Sequence, residues 1–265
     1  MFYRPQTYQT YRPTDRYFQM KDVILLNIGN THTQMARAEG GRIGPVTRLT
    51  TAELLAAGTK TGLLADQPRL PVVAACVVPH AAACLREQWP ERRLVLADTD
   101  AVKEFDFSPM KARNIGADRL MNAVAALELF TPPFIVLDCG TALSSVAVDE
   151  ARRFRGGAIL PGRKMLRLAL HEHTAQLPEV PLQDSLPAAI GTCTEEAILA
   201  GTDLAVIGAV QFVLENIRAE LGAPDCPVAV TGGDAMFFLA AIPNLTAAPP
   251  DFTLRGLARL AARLS

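Results

Sequence analysis

ILLNIGNTHTQMARAEG, residues 24–40, is an apolar run, a tight polar turn and a second alternating run. It reads as strand–turn–strand. Two details need a reason: Asn27 interrupts the apolar run, and Gly29, Asn30, Thr31, His32 and Thr33 follow it at once. A single turn of this kind is most often an ordinary hairpin. It is also what a phosphate cradle needs, because glycine admits a ligand close to the backbone and the amide and hydroxyl groups supply donors. On that reading Asn27, Ile28, Gly29, Asn30, Thr31, His32, Thr33 and Gln34 form one candidate nucleotide-binding segment.

The same pattern returns about a hundred residues later. PFIVLDCGTALSS, residues 133–145, is again an apolar run ending in a glycine–threonine turn, and NIGNT (27–31) matches DCGTA (138–142). Two such turns facing one another would grip a triphosphate from both sides, with Thr141 the counterpart of the first turn's hydroxyls. VTGGDA, residues 230–235, is a third glycine turn between a strand and a helix. Around these turns the periodicity predicts strands in PVVAACVV, RRLVLAD and RFRGGAIL. It predicts helices in HAAACLREQW, NIGADRLMNAVAALELF, GRKMLRLALHEHTAQL, the long GTCTEEAILAG…AELG stretch and TLRGLARLAARL. Strands and helices in this order, given twice, predict a duplicated α/β unit. The expected division is an N-terminal extension over 1–19, a first domain over 20–130 and a second over 131–265, with Met20 opening the functional chain.

Length and charge narrow the classes. The 265 residues suffice for two domains of ordinary size, and a net charge of −1 gives no field to draw nucleic acid or an anionic membrane. No membrane span is expected, because no uncharged apolar run reaches roughly 18 residues. Five cysteines without a CxxC pair, and four histidines not at ligand spacing from them, predict reduced thiols rather than a zinc site. Together these point to a cytoplasmic protein.

IGNTHT, CVVP, GADRLMNAVAA, LDCGTA, GGAILPG, HTAQLP, IGTCTEEAILAG and TGGDA, in this order and spacing from about Val23 to Leu264, resemble the type III pantothenate kinases. The resemblance implies two ribonuclease H-like domains of the actin-like ATPase type with a cleft between them. It implies transfer of the ATP γ-phosphate to pantothenate, giving 4′-phosphopantothenate, the first step towards coenzyme A. It also implies magnesium with the ATP, a monovalent cation (potassium or ammonium) and a homodimer, for which the long helix Glu195–Leu221 is the candidate interface. By the same resemblance Asp118 is the general base, Gly116, Ala117, Asp118, Arg119 and Thr194 contact pantothenate, Thr141 binds ATP phosphate, and Asp138 holds the monovalent cation. Read locally, Thr194 is also placed to cap the helix that follows it, and Pro161 to open one.

The chain departs from the family pattern in three places. Asn27 stands where the family has Asp, Leu143 and Ser144 stand where it often has threonines, and the segment before GADR lacks a tyrosine, leaving Phe105 or Phe107 to fill an aromatic role. Two other readings follow from these departures: a regulatory accessory protein that binds nucleotide or pantothenate, and a kinase for a related alcohol.

Overall fold

A computed structural model describes residues 22–40, 42–57, 62–88, 94–112 and 115–263. The expected extension over 1–19, and Met20, lie outside the described residues. β1 (Val23–Ile28) runs antiparallel to β2 (His32–Glu39), placing Asn27 opposite Gln34. β3 (Arg42–Ile43) and β4 (Thr47–Thr50) both pair with β2. α1 (Thr51–Ala57) and α2 (Gly62–Asp66) lead to β5 (Val72–Cys76), parallel to β1. α3 (Pro79–Gln88) leads to β6 (Leu94–Leu96), parallel to β5. α4 (Ala117–Ala126) closes the first half.

The second half repeats the plan. β7 (Phe134–Cys139) pairs antiparallel with β8 (Ala142–Val148), which also pairs with β9 (Phe154–Gly156) and β10 (Ile159–Pro161). α5 (Arg163–Glu172) and α6 (Thr194–Leu221) precede β11 (Val228–Thr231), parallel to β7. α7 (Ala235–Ala241), β12 (Thr246–Ala247), parallel to β11, and α8 (Phe252–Arg263) complete the chain. The sheet orders, β3-β2-β1-β5-β6 and β10-β8-β7-β11-β12, are the same order twice. The duplication expected from the sequence is therefore present.

β1 and β7 read as continuous apolar runs because each is covered on both faces, and their burial is identical residue for residue: only Asn27 and Asp138 are less than fully buried. α4 packs on β7, β8 and β5, while α8 packs on β1, β5, β2 and β3. Each half thus ends in a helix that reaches the other half's sheet, and the two helices pack on one another. One apolar core joins both sheets through them, from Leu25 and Val73 to Val136 and Val146. Gly256 allows this closeness: a Cβ there would lie 2.0 Å from the Met121 carbonyl oxygen.

Four local expectations change. Pro161 ends β10 rather than opening a helix; Gly162 is the N-cap of α5. RFRGGAIL forms two short strands, because Gly156 and Gly157 at φ +89° and +158° break the run. Phe105 and Phe107 are core residues, with ring centroids 6.3 and 5.4 Å from Phe154. α6 is long and apolar enough to cross a bilayer. Its buried face instead packs Val206, Val210 and Leu214 against Phe237 and Phe238, and carries Asp203 in ion pairs to Arg163 and Arg167.

Candidate active site

The three glycine turns lie at the carboxyl ends of β1, β7 and β11, where open α/β sheets place their ligands. Asn30, Thr31, His32, Gly140, Thr141, Gly232 and Gly233 are all exposed. Thr31 Oγ1 and Thr141 Oγ1 are 3.3 Å apart, so the two matched turns meet. Each is anchored to the next helix: Thr51 at the start of α1 donates through Oγ1 to the Gly29 carbonyl at 2.6 Å and through its amide to the Thr31 carbonyl at 2.9 Å, and Gly162 N donates to the Thr141 carbonyl at 3.1 Å. Gly232 sits at φ +97°, and a Cβ there would stand 2.6 Å from Asp138 Oδ1, so this turn closes directly over the carboxylate. Beneath the first turn Ile28 is fully buried, and Thr33 is buried with its hydroxyl against that of Thr51 at 3.2 Å. Those two side chains support the turn, while Asn30, Thr31 and His32 form its open surface.

Asp118 and Arg119 occupy the first turn of α4, with Gly116 as N-cap and Ala117 as first residue. Asp118 Oδ1 accepts from the Arg119 amide at 2.7 Å. Arg119 donates through Nη2 to the Ser145 carbonyl at 3.0 Å, and its Nε is buried without a partner. Burial lowers the Arg119 guanidinium, and the charge of Asp118 works against that shift. One turn on, at i+4, buried Asn122 donates to Asp138 Oδ2 at 2.8 Å and accepts from Thr253 Oγ1 at 2.8 Å. The Asp138 carboxyl is pushed up to about 6, first by burial and then by the charge of Asp118, while the Asn122 hydrogen bond pulls the other way. The charge of Asp118 thus reaches the Asp138 carboxyl in its poorly solvated place, where a cation beside Asp138 would be favoured.

Asn27 donates through Nδ2 to Gln34 Oε1 at 3.1 Å, and its Oδ1 is buried with no partner. Such an orphaned acceptor costs about 1–3 kcal/mol unless something completes it. Asn27 Oδ1, like the carboxylate oxygens of Asp118 and Asp138, is an oxygen donor of the type hard cations take. Among the described residues no cluster of three or more His, Cys, Asp or Glu forms a metal cage.

Thr194 stands apart. It is exposed at the first position of α6, and among the described residues no hydrogen bond joins it to Asp118 or Arg119. It does not cap its helix; Thr192 instead donates to Glu196 through both amide and hydroxyl at 2.7 Å. Sequence reasoning missed Asn122, Asp234, Asp251 and Thr253. The i+4 spacing from Asp118 would have placed Asn122 on the same face. Asp234 follows the third turn; its amide donates to the Cys139 carbonyl at 3.0 Å, and its carboxylate accepts from buried Arg163 at 2.8 Å. For Asp251 and Thr253 the sequence holds no signal, because only the return of α8 brings them here.

A family model of type III pantothenate kinase matches residues 23–216. The chain belongs to the type III pantothenate kinase family. A type III pantothenate kinase of Rubrobacter xylanophilus is 32% identical over 259 residues, covering 89% of this chain and 95% of its own. Among solved structures, a Campylobacter jejuni protein described as a Baf family transcriptional activator aligns at TM-score 0.58 and 16% identity over 91% of this chain and 98% of its own. A Listeria monocytogenes protein described as an N-acetylmannosamine kinase aligns at 0.57 and 12% over 92% and 99%. At such identities these two likenesses speak to fold alone, and the fold is the duplicated one of the actin-like ATPases and sugar kinases.

Proposed function

We propose that this chain carries out the reaction of its family, ATP-dependent phosphorylation of pantothenate to 4′-phosphopantothenate, in the cleft where Thr31 meets Thr141. That 3.3 Å meeting is the observation that carries the reading, because it gives a triphosphate donors from both halves at once. The exposed turn residues Asn30, Thr31, His32, Gly140 and Thr141 hold the phosphates through amides and hydroxyls. Gly232 and Gly233 flank the nucleotide. Asp118 accepts the proton of the pantothenate hydroxyl as that oxygen attacks the γ-phosphorus. A carboxylate suffices, since phosphoryl transfer asks for an oriented nucleophile more than a strong base. Arg119, held by the Ser145 carbonyl, has donors left for substrate oxygens. Magnesium on the nucleotide offsets phosphate charge; Asn27 Oδ1 and Asp138 would hold it. Asp138, its carboxyl raised by its surroundings, is also the place for a potassium or ammonium ion.

The protein works as a homodimer through α6 in this reading. Ala197, Gly201, Leu204, Gly208 and Phe212 form an exposed stripe at helical spacing, and both glycines face open space where a second helix can approach. Thr194, at the start of that helix, then serves the acceptor site at the subunit interface. The domains run over 20–130 and 131–265 in this reading, with α8 lent back to the first, and the presence of two sheets of like order supports that division. Five free thiols among the described residues suit the cytoplasm.

Neutral Asn27 favours one second reading, a binding protein without turnover. Purified protein with ATP, magnesium, potassium and pantothenate decides: mass-detected phosphopantothenate is expected. ATP binding with no product, or product only from a different alcohol, overturns the proposal.

A further inference from the structure

Asn27 and Asp138 occupy matched places at the ends of β1 and β7, and each ends a short relay of side chains. On the second half the relay runs Thr253, Asn122, Asp138. On the first it runs from Asp251 through Gln34 to Asn27: Gln34 Nε2 faces Asp251 Oδ1 at 3.5 Å, and Asn27 Nδ2 donates to Gln34 Oε1 at 3.1 Å. Both relays begin at the N-terminal end of α8. Asp251 is held there at φ +56°, and Arg48 pairs with its carboxylate.

The chemistry of the end group sets the direction of the first relay. An ionised carboxylate only accepts hydrogen bonds, whereas each amide side chain both donates and accepts. Asp251 therefore takes the NH2 of Gln34. Gln34 is left presenting its oxygen to Asn27, which must answer with its own NH2. The atom left over is Asn27 Oδ1, the buried acceptor without a partner. If Gln34 were reversed, its oxygen would face the Asp251 carboxylate.

We propose that Asp251 is a positioning residue: acting through Gln34, it fixes the Asn27 amide so that its carbonyl oxygen, not its NH2, is offered to the cation carried by ATP or to that cation's water shell. The inference rests on the kinase reading above. Because Arg48 already pairs with Asp251, the first turn gains an oriented acceptor without adding a net charge beside Asp118 and Asp138.

A reversed relay supplies the test. Asn27→Asp alone sets two acceptors against each other, whichever way Gln34 turns. Adding Asp251→Asn lets every member point the other way: the new amide donates to Gln34 Oε1, and Gln34 Nε2 donates to the new carboxylate. Asn tolerates the positive φ of residue 251 as Asp does, so the entry into α8 is kept. Wild type, both single variants and the double variant of the full-length protein are compared by ligand-free urea denaturation and by KM for ATP and kcat with magnesium. We expect each single variant to raise KM for ATP about tenfold with a smaller change in kcat, and Asn27→Asp to lower the urea midpoint. In the double variant most of both losses should return. Asp251→Asn added to Asn27→Ala should rescue nothing. Additive effects in the denaturation cycle, an unchanged KM in Asp251→Asn, or equal rescue of Asn27→Ala would overturn the relay. The ligand-free cycle reads the relay even in a protein that makes no phosphopantothenate, so its failure and that of the kinase reading are separable.

Discussion

Asp118 and Asp138 lie close enough for the charge of one to raise the carboxyl of the other, and the proposed reaction gives them different tasks. Asp118 is half-buried at a helix start and in the proposed reaction takes the proton of the acceptor hydroxyl, so Asp118→Asn should lower kcat by about 10²–10⁴-fold with little change in the urea midpoint. Steady-state kinetics beside denaturation check this; unchanged turnover would remove Asp118 from the mechanism. For Asp138 the sign follows from its raised carboxyl. Between the ordinary carboxylate value of 3.8 and about 6 the folded state binds more protons than the unfolded chain. Its contribution to stability is therefore greatest at the acid end, falls as pH rises through that window and levels off above it. A shift of about two units sets an upper limit of about 3 kcal/mol. Urea denaturation in sodium buffers at pH 4.5 and 7.5 should show this loss in wild type but not in Asp138→Asn. Potassium or ammonium should shrink it and raise activity. Parallel profiles for the two proteins, or no effect of either ion, would sink the cation role.

At the scale of elements, α8 does more than cover a sheet. It fills the groove beside α4, with Gly256 against the Met121 backbone, and its first residues bring Thr253 to Asn122 while the residue before it brings Asp251 to Gln34. Gly256→Ala puts a methyl group 2.0 Å from a carbonyl oxygen, so the helices must separate. Overpacking of this kind costs about 1–3 kcal/mol. The expected outcome is a lower urea midpoint together with a raised KM for ATP, because both relays shift with the helix. A loss of stability with ATP affinity untouched would show that α8 packs without positioning.

For the whole molecule, the homodimer proposed above would make the assembly part of the site, through the exposed stripe on α6 and Thr194 at its start. Phe212 is 67% exposed, which is unusual for a large aromatic side chain. Phe212→Glu should turn a dimer into a monomer in sedimentation velocity and weaken pantothenate use while ATP binding persists. A dimer that survives this change would place the interface elsewhere.

The sequence by itself determined the duplicated plan, because apolar runs and glycine–threonine turns are local and repeat in order. It likewise put Asp118, Arg119, Asp138 and the three turns at strand or helix ends, where the structure has them. Only the tertiary structure decided what holds them. Phe105 and Phe107 look free beside GADR, yet they sink into a core that other segments complete. Asn27 looks like a lost charge, yet its oxygen is oriented through Gln34 by a carboxylate more than 200 residues away. Spacing along a chain shows which side chains share a local face, but not which distant helix comes back to lie beside them. That return follows from the shared core of α4 and α8, which exists only once both halves have folded together.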